Sequence, residues 1–167
     1  MGTFHSVCAR ILRHEIAGLK RGYDRNFVIY DQDDSQRLLK QILLELGMAE
    51  RFRPNVVAYY ISAAKNRLLE PHQLALQNSF LEETVQTAYQ EYQRRLQSQN
   101  AVDFDDLLGL TCELLAQVPT VLRKYQDRFR YVLVDEYQDT NHAQYAFLRL
   151  LVKKHKNLFV VGDDAQS

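Results

Sequence analysis

Apolar residues recur along this chain at helical spacing over long stretches and stand in unbroken runs in a few short ones. Cys8, Ile11, Leu12 and Leu19 share one face of a helix expected over residues 7–20, with Gly18 and Gly22 bracketing its end. Leu38, Leu39, Ile42, Leu43 and Leu46 form a stripe over 35–46. The acids ahead of it, Asp31, Asp33 and Asp34, suit the positive end of a helix dipole better than a metal. Pro54 opens the next helix, whose core face is Val57, Tyr60, Ile61, Ala64 and Leu68. Lys65 and Arg67 lie off that face, toward solvent or toward phosphates. Pro71 breaks the pattern, and a long helix follows over 80–97 with Leu81, Val85, Ala88, Tyr89, Tyr92 and Leu96 in phase. Tyr89 and Tyr92 suit the rim of a helical core, with base stacking as the alternative. Residues 97–100 read as a polar loop. Asp103 and Asp106 have N-cap and N3 spacing, which explains the acids of Asp103-Phe104-Asp105-Asp106 as a capping device rather than a two-metal nuclease. Leu107, Leu108, Thr111, Leu114 and Leu115 continue that helix, and Pro119 starts a short one ending near Phe129.

The pattern then changes. Tyr131, Val132, Leu133 and Val134 are a continuous apolar run, as in a strand buried on both faces, and Asp135 and Glu136 follow without a gap. Thr140 or Asn141 caps a helix over 142–154, in which Ala143, Phe147, Leu150 and Leu151 recur. A second run, Leu158 to Val161, ends in Gly162-Asp163-Asp164. A strand, helix, strand unit has a right-handed crossover and parallel strands, so Asp135, Glu136, Asp163, Asp164 and Gln166 are expected on one rim of one sheet. Magnesium and phosphate chemistry gives such a rim a purpose: one carboxylate holds a hydrated metal and another takes a proton from water. Acids at a strand end also occur as mere caps of the next helix; the second acidic tip favours a site.

Composition narrows the classes further. The chain has 167 residues, 21 basic against 21 acidic, with 46% hydrophobic and 25% charged residues. That balance suits a soluble globular chain, and any contact with nucleic acid has to rest on a local patch. Cys8 and Cys112 read as reduced, buried thiols, which with no apolar run of membrane-spanning length and no signal pattern leads us to expect a cytoplasmic protein with no membrane partner. His5, His14, His72, His142 and His155 show no metal-ligand spacing. No G-x-x-x-x-G-K-[ST] loop occurs: Gly18 and Gly22 are too close, and Tyr23 follows where lysine belongs.

Asp-Glu-Tyr-Gln-Asp-Thr-Asn at 135–141 resembles the Walker B element, motif II, of UvrD/Rep/PcrA-like superfamily 1 DNA helicases. Val-Val-Gly-Asp-Asp-Ala-Gln-Ser at 160–167 is similar to their motif III, and Gly-Thr-Phe-His-Ser at 2–6 to a DNA-contacting motif of their first RecA-like domain. Ser-Ala-Ala-Lys-Asn at 62–66 and Asp-Phe-Asp-Asp-Leu at 103–107 stand where the family has similar words. Ala165 replaces an acid found in many members. The resemblance implies an α/β fold, a partial RecA-like parallel sheet of the P-loop NTPase type lacking its P-loop, with a mostly α-helical insertion. Residues 1–26 would begin the RecA-like domain, 27–101 form the insertion, and 102–167 return with motifs II and III. It implies that Asp135 coordinates Mg2+, that Glu136 is the general base, and that Gln166 senses the γ-phosphate of ATP. It places Gln138 at the nucleotide, and Thr3, His5, Ser6 and Lys65 at single-stranded or duplex DNA. A central segment of this kind, without the phosphate loop and the second RecA-like domain, is expected to be inactive by itself. A non-catalytic DNA- or protein-binding helical module and an unrelated Mg2+-dependent phosphohydrolase are the alternatives.

Overall fold

Local signals set most element boundaries in the computed structural model, which describes residues 2–163. Helix α1 (Phe4–Glu15) starts where the Thr3 hydroxyl accepts the Ser6 amide at 3.2 Å. It thus begins three residues before the expected start, with Thr3 as the cap and Phe4, His5 and Ser6 in its first turn. A 3-10 turn (Ile16–Leu19) carries the apolar face on, and Lys20 leaves it in the left-handed region at φ 54°. Strand β1 (Val28–Ile29) leads to α2 (Gln32–Glu45), capped by Asp31, whose carboxylate accepts the Asp34 amide at 2.9 Å. Helix α3 (Pro54–Asn66) has proline in its first turn, where no amide hydrogen is needed. Helix α4 (Ser79–Ser98), capped by Asn78, ends at strand β2 (Ala101–Val102). Helix α5 (Phe104–Gln117) has the expected reciprocal cap of Asp103 and Asp106. Then come α6 (Pro119–Arg128), β3 (Val132–Val134), α7 (His142–Val152) and β4 (Leu158–Val160).

The helical stripes close into two hydrophobic clusters. One joins α1, α5, α6 and α7 through residues such as Leu12, Leu108, Leu114 and Phe147. The other joins α2, α3 and α4 through Ile42, Val57, Ile61, Val85 and Leu96. Tyr89 and Tyr92 belong to this second core, 6% and 2% exposed, so neither offers a free face for stacking. Cys8 and Cys112 are buried free thiols, and burial pushes each up to about 12.

The strands mark where the clusters meet. β1 and β2 pair in parallel, Val28 with Ala101 and Ile29 with Val102, so the chain leaves the first cluster and returns to it at one place. β3 and β4 also pair in parallel, in the register Val132–Leu158, Leu133–Phe159 and Val134–Val160. Among the described residues each sheet has two strands. That size overturns one expectation. β3 is not covered on both faces: Val134 is buried, whereas Leu133 is 70% exposed beside Phe159 at 59%. Among the described residues, two strands leave the face bearing Leu133 and Phe159 uncovered.

Candidate functional site: the acidic loop after β3

The parallel pairing does carry two chain tips to one rim. Beyond β4, the Val161 amide donates to the Val134 carbonyl at 2.9 Å, and the Tyr137 amide to the Val161 carbonyl at 3.0 Å. The ladder therefore continues past both strands, flanking Asp135 and Glu136, whose side chains are exposed. The Asp135 carboxylate accepts the Glu136 amide at 3.0 Å. Glu136 itself sits at φ 50°, ψ 46°, the left-handed region, which costs a non-glycine residue about 1–2 kcal/mol. A 3-10 turn (Tyr137–Asp139) follows, with the Asp139 amide donating to the Glu136 carbonyl and the Thr140 amide to the Tyr137 carbonyl, both at 3.1 Å.

Gln138 joins the two tips. Its side-chain oxygen accepts the Asp163 amide at 3.3 Å. Gly162 makes room for it: a Cβ there would lie 2.8 Å from that oxygen. Gly162→Ala is therefore expected to displace Gln138 and break this bond. The stability loss should be about 1 kcal/mol, since the neighbour that must move is the end of a flexible side chain. Thermal unfolding of the variant checks the figure; a loss several times larger would mean that backbone, not Gln138, is displaced. Asp164 and Gln166 lie outside the described residues.

Hydrated magnesium takes one or two carboxylates and completes its shell with water and phosphate oxygens. Among the described residues no group of three His, Cys, Asp or Glu side chains is arranged to hold a metal. The exposed Asp135 carboxylate at a strand tip, with Glu136 beside it, fits that sparse donor set.

The other end of the loop is tied down by α7. Asn141 caps that helix: its side-chain oxygen accepts the Gln144 backbone amide at 2.9 Å, and the Asn141 backbone amide donates to the Gln144 side-chain oxygen at 3.1 Å. The side-chain Nδ2 of Asn141 then donates to the Asn66 side-chain oxygen at 2.6 Å, reaching the end of α3. No sequence pattern marks this contact. Its partners stand in three of the motif words, 62–66, 103–107 and 135–141, which converge here because Asn66 also donates to Asp105 at 3.1 Å.

Thr3, His5 and Ser6 gather on the first turn of α1. The Thr3 and Ser6 hydroxyls cap and brace that turn, with the Ser6 hydroxyl donating to the Thr3 carbonyl at 2.8 Å. His5 meets Phe104 edge-on, ring centres 5.8 Å apart, and Phe4 meets Phe147 of α7 at 6.4 Å. The first turn of α1 thus lies against the start of α5 and the middle of α7.

Lys65 corrects its expectation. It is not a solvent-facing cation: it is 6% exposed, and its ammonium donates to Asp103 at 2.6 Å and Asp106 at 2.8 Å. Tyr92 donates to the same Asp103 carboxylate at 3.1 Å, and Gln93 to Asp106 at 2.9 Å. Burial alone would lower the Lys65 pKa, but the two carboxylates outweigh it and hold the ammonium charged. Burial likewise opposes ionisation of Asp103, yet Lys65 brings that carboxyl below its usual range, while burial and the Asp103 charge push Asp106 up. An ammonium enclosed in this way has no face left for DNA phosphates.

The profile of the UvrD/REP helicase N-terminal domain matches residues 1–167. The chain is 48% identical over its whole length to the ATP-dependent DNA helicase UvrD1 of Mycobacterium tuberculosis, of which it covers 23%. It is 44% identical to the ATP-dependent DNA helicase PcrA of Staphylococcus epidermidis and 43% to that of Staphylococcus aureus, again over the whole chain and 23% of each relative. The chain thus spans about a quarter of the length of the curated relatives it matches.

Proposed function

We infer the function from one premise: the chain belongs to the UvrD/REP helicase N-terminal domain family. In the full-length protein it supplies part of an ATP-dependent DNA helicase, one that couples hydrolysis of Mg2+-bound ATP to movement on single-stranded DNA and to duplex unwinding. Residues 1–26 and 102–167 would form part of a RecA-like domain, and 27–101 an inserted helical subdomain. The separate hydrophobic clusters, and the β1–β2 pair through which the chain leaves and returns, support that division.

The observation that carries the reading is the rim itself. Two parallel strands end side by side, and the residues at their tips are Asp135, Glu136 and Asp163. Asp135 would hold Mg2+, which when bound neutralises charge on the phosphates of ATP. Glu136 would accept a proton from the attacking water. Gln138 would hold the second tip against the first, and Gln166 would report phosphate state toward DNA. Thr3, His5 and Ser6 would meet single-stranded DNA at the positive N-terminal turn of α1. Such a protein works where DNA is, which fits a place in the cytoplasm.

Catalysis of phosphoryl transfer is mostly positioning and charge stabilisation. No G-x-x-x-x-G-K-[ST] loop is present in the 167 residues to cradle a triphosphate. The purified 167-residue chain is therefore expected to show no ATP turnover, with or without DNA. The full-length protein should show Mg2+-dependent turnover stimulated by single-stranded oligonucleotides. Turnover by the isolated chain that Glu136→Gln abolishes, or a full-length protein inert toward ATP, would overturn the reading.

A further inference from the structure

We propose that Asn66 is a positioning residue for the acidic loop, holding Asn141 so that helix α3 and the loop bearing Glu136 move together. The inference rests on the proposed function. Its basis is one hydrogen-bond chain in which each amide has a single satisfied orientation. The Asn66 amide nitrogen faces the Ser62 carbonyl at 2.9 Å and the Asp105 carboxylate at 3.1 Å, both acceptors. Its oxygen is therefore the atom presented to Asn141. The Asn141 oxygen is taken by the Gln144 amide, so its nitrogen is the atom presented to Asn66, at 2.6 Å.

The loop needs such an anchor. Glu136 sits in the left-handed region, which persists only when the surroundings over-determine it. On its strand side the loop is held by the β3–β4 ladder and by the Tyr137 amide on Val161. On its helix side Asn141 is the fixed point, and Asn66 is what fixes Asn141 to another element. Lys65, the preceding residue, locks the same end of α3 onto Asp103 and Asp106 of the α5 start. Adjacent residues of α3 thus dock the helical segment onto α5 and onto the acidic loop. A shift of residues 27–101, such as contact with DNA would favour, reaches Glu136 through this joint. Asn66 touches no reacting atom; it acts through Asn141.

Two substitutions separate the link from the cap. Asn141→Ser keeps a good N-cap but loses the nitrogen that reaches Asn66. Asn66→Ala breaks the link from the other side. Steady-state ATP turnover by the full-length protein should be measured with and without oligothymidylate. With DNA saturating, each variant is expected to lose about tenfold in kcat, the scale seen when an orienting partner is removed, with KM for ATP moved by less than about twofold. The ratio of DNA-stimulated to DNA-free turnover should fall, and the double variant should lose no more than Asn66→Ala alone, because that variant already removes the Asn66–Asn141 bond along with the bonds to Ser62 and Asp105. A merely structural role would lower both turnover rates together and leave the ratio in place, which would overturn the proposal. So would Asn141→Ser turning over as the unmodified protein does, or losses that multiply in the double variant. An unmodified protein without ATP turnover overturns the functional reading and this inference with it; normal turnover in both variants overturns this inference alone.

Discussion

Replacing Lys65 with methionine is expected to destabilise the protein by about 3–5 kcal/mol at neutral pH, the usual cost of stranding a buried charge. Methionine keeps the stem that packs beneath Tyr92 and removes only the ammonium, which lies 5.1 Å from that ring. Asp103 and Asp106 are then left in the interior with each other's charge and no cation. For a chain of this size the loss corresponds to a fall of roughly 6–20 °C in the unfolding midpoint. The deficit should shrink in acid. Without Lys65, burial and mutual repulsion raise both carboxyls above their unfolded value near about 3.9. The folded state then binds more protons than the unfolded one between those values. Its stability consequently falls as pH rises through that window and recovers as pH drops back toward about 4. Thermal unfolding at pH 7 and near pH 4.5 reads both effects. A deficit below about 1 kcal/mol, or one that grows in acid, would contradict the buried three-charge cluster.

Glu136→Gln should lower ATP turnover by the full-length protein by about two to four orders of magnitude, the range in which a general base contributes. The exchange is nearly isosteric, and the Glu136 amide that donates to Asp135 is backbone, so the loop keeps its shape. What disappears is the group that accepts the proton from water. Nucleotide binding should persist, because Glu136 is not the residue assigned to the metal. Asp135→Asn is the contrasting case: it should weaken Mg2+-dependent nucleotide binding itself. A protein in which both substitutions produce the same defect would have no division of labour between the two acids.

Local chemistry was the legible part of this chain. Pro54 and Pro119 mark helix starts by lacking an amide hydrogen, Asp103 and Asn141 by bonds that span three residues, and the structure has helices at each. The parallel β3–β4 pairing followed from a crossover rule that needs only the order of elements. Long-range partners were not legible. Lys65 stands four residues after Ile61, at the edge of the α3 core face, and its two acids lie 38 and 41 residues away. Nothing local distinguishes a lysine that snorkels from one that is swallowed. The Asn66–Asn141 bond spans 75 residues, and the sequence offered only the coincidence that both belong to motif words. Leu133 misled for another reason: an apolar run reports hydrophobicity, but whether a face is covered depends on neighbouring elements. β2, with two residues, is too short to have a period at all. The α1 start moved because Thr3 and Ser6 both cap well, and only the backbone shows which one leaves the helix.

The most direct test of a phosphate-handling rim is a single-turnover measurement. Labelled ATP and Mg2+ are mixed with an excess of full-length protein and single-stranded DNA, and both retained nucleotide and released phosphate are followed. The unmodified protein should retain ATP and cleave it, while Glu136→Gln retains it to a similar extent and leaves it uncleaved. Cleavage by Glu136→Gln at the unmodified rate would show that the acids at the tip of β3 do not carry the chemistry.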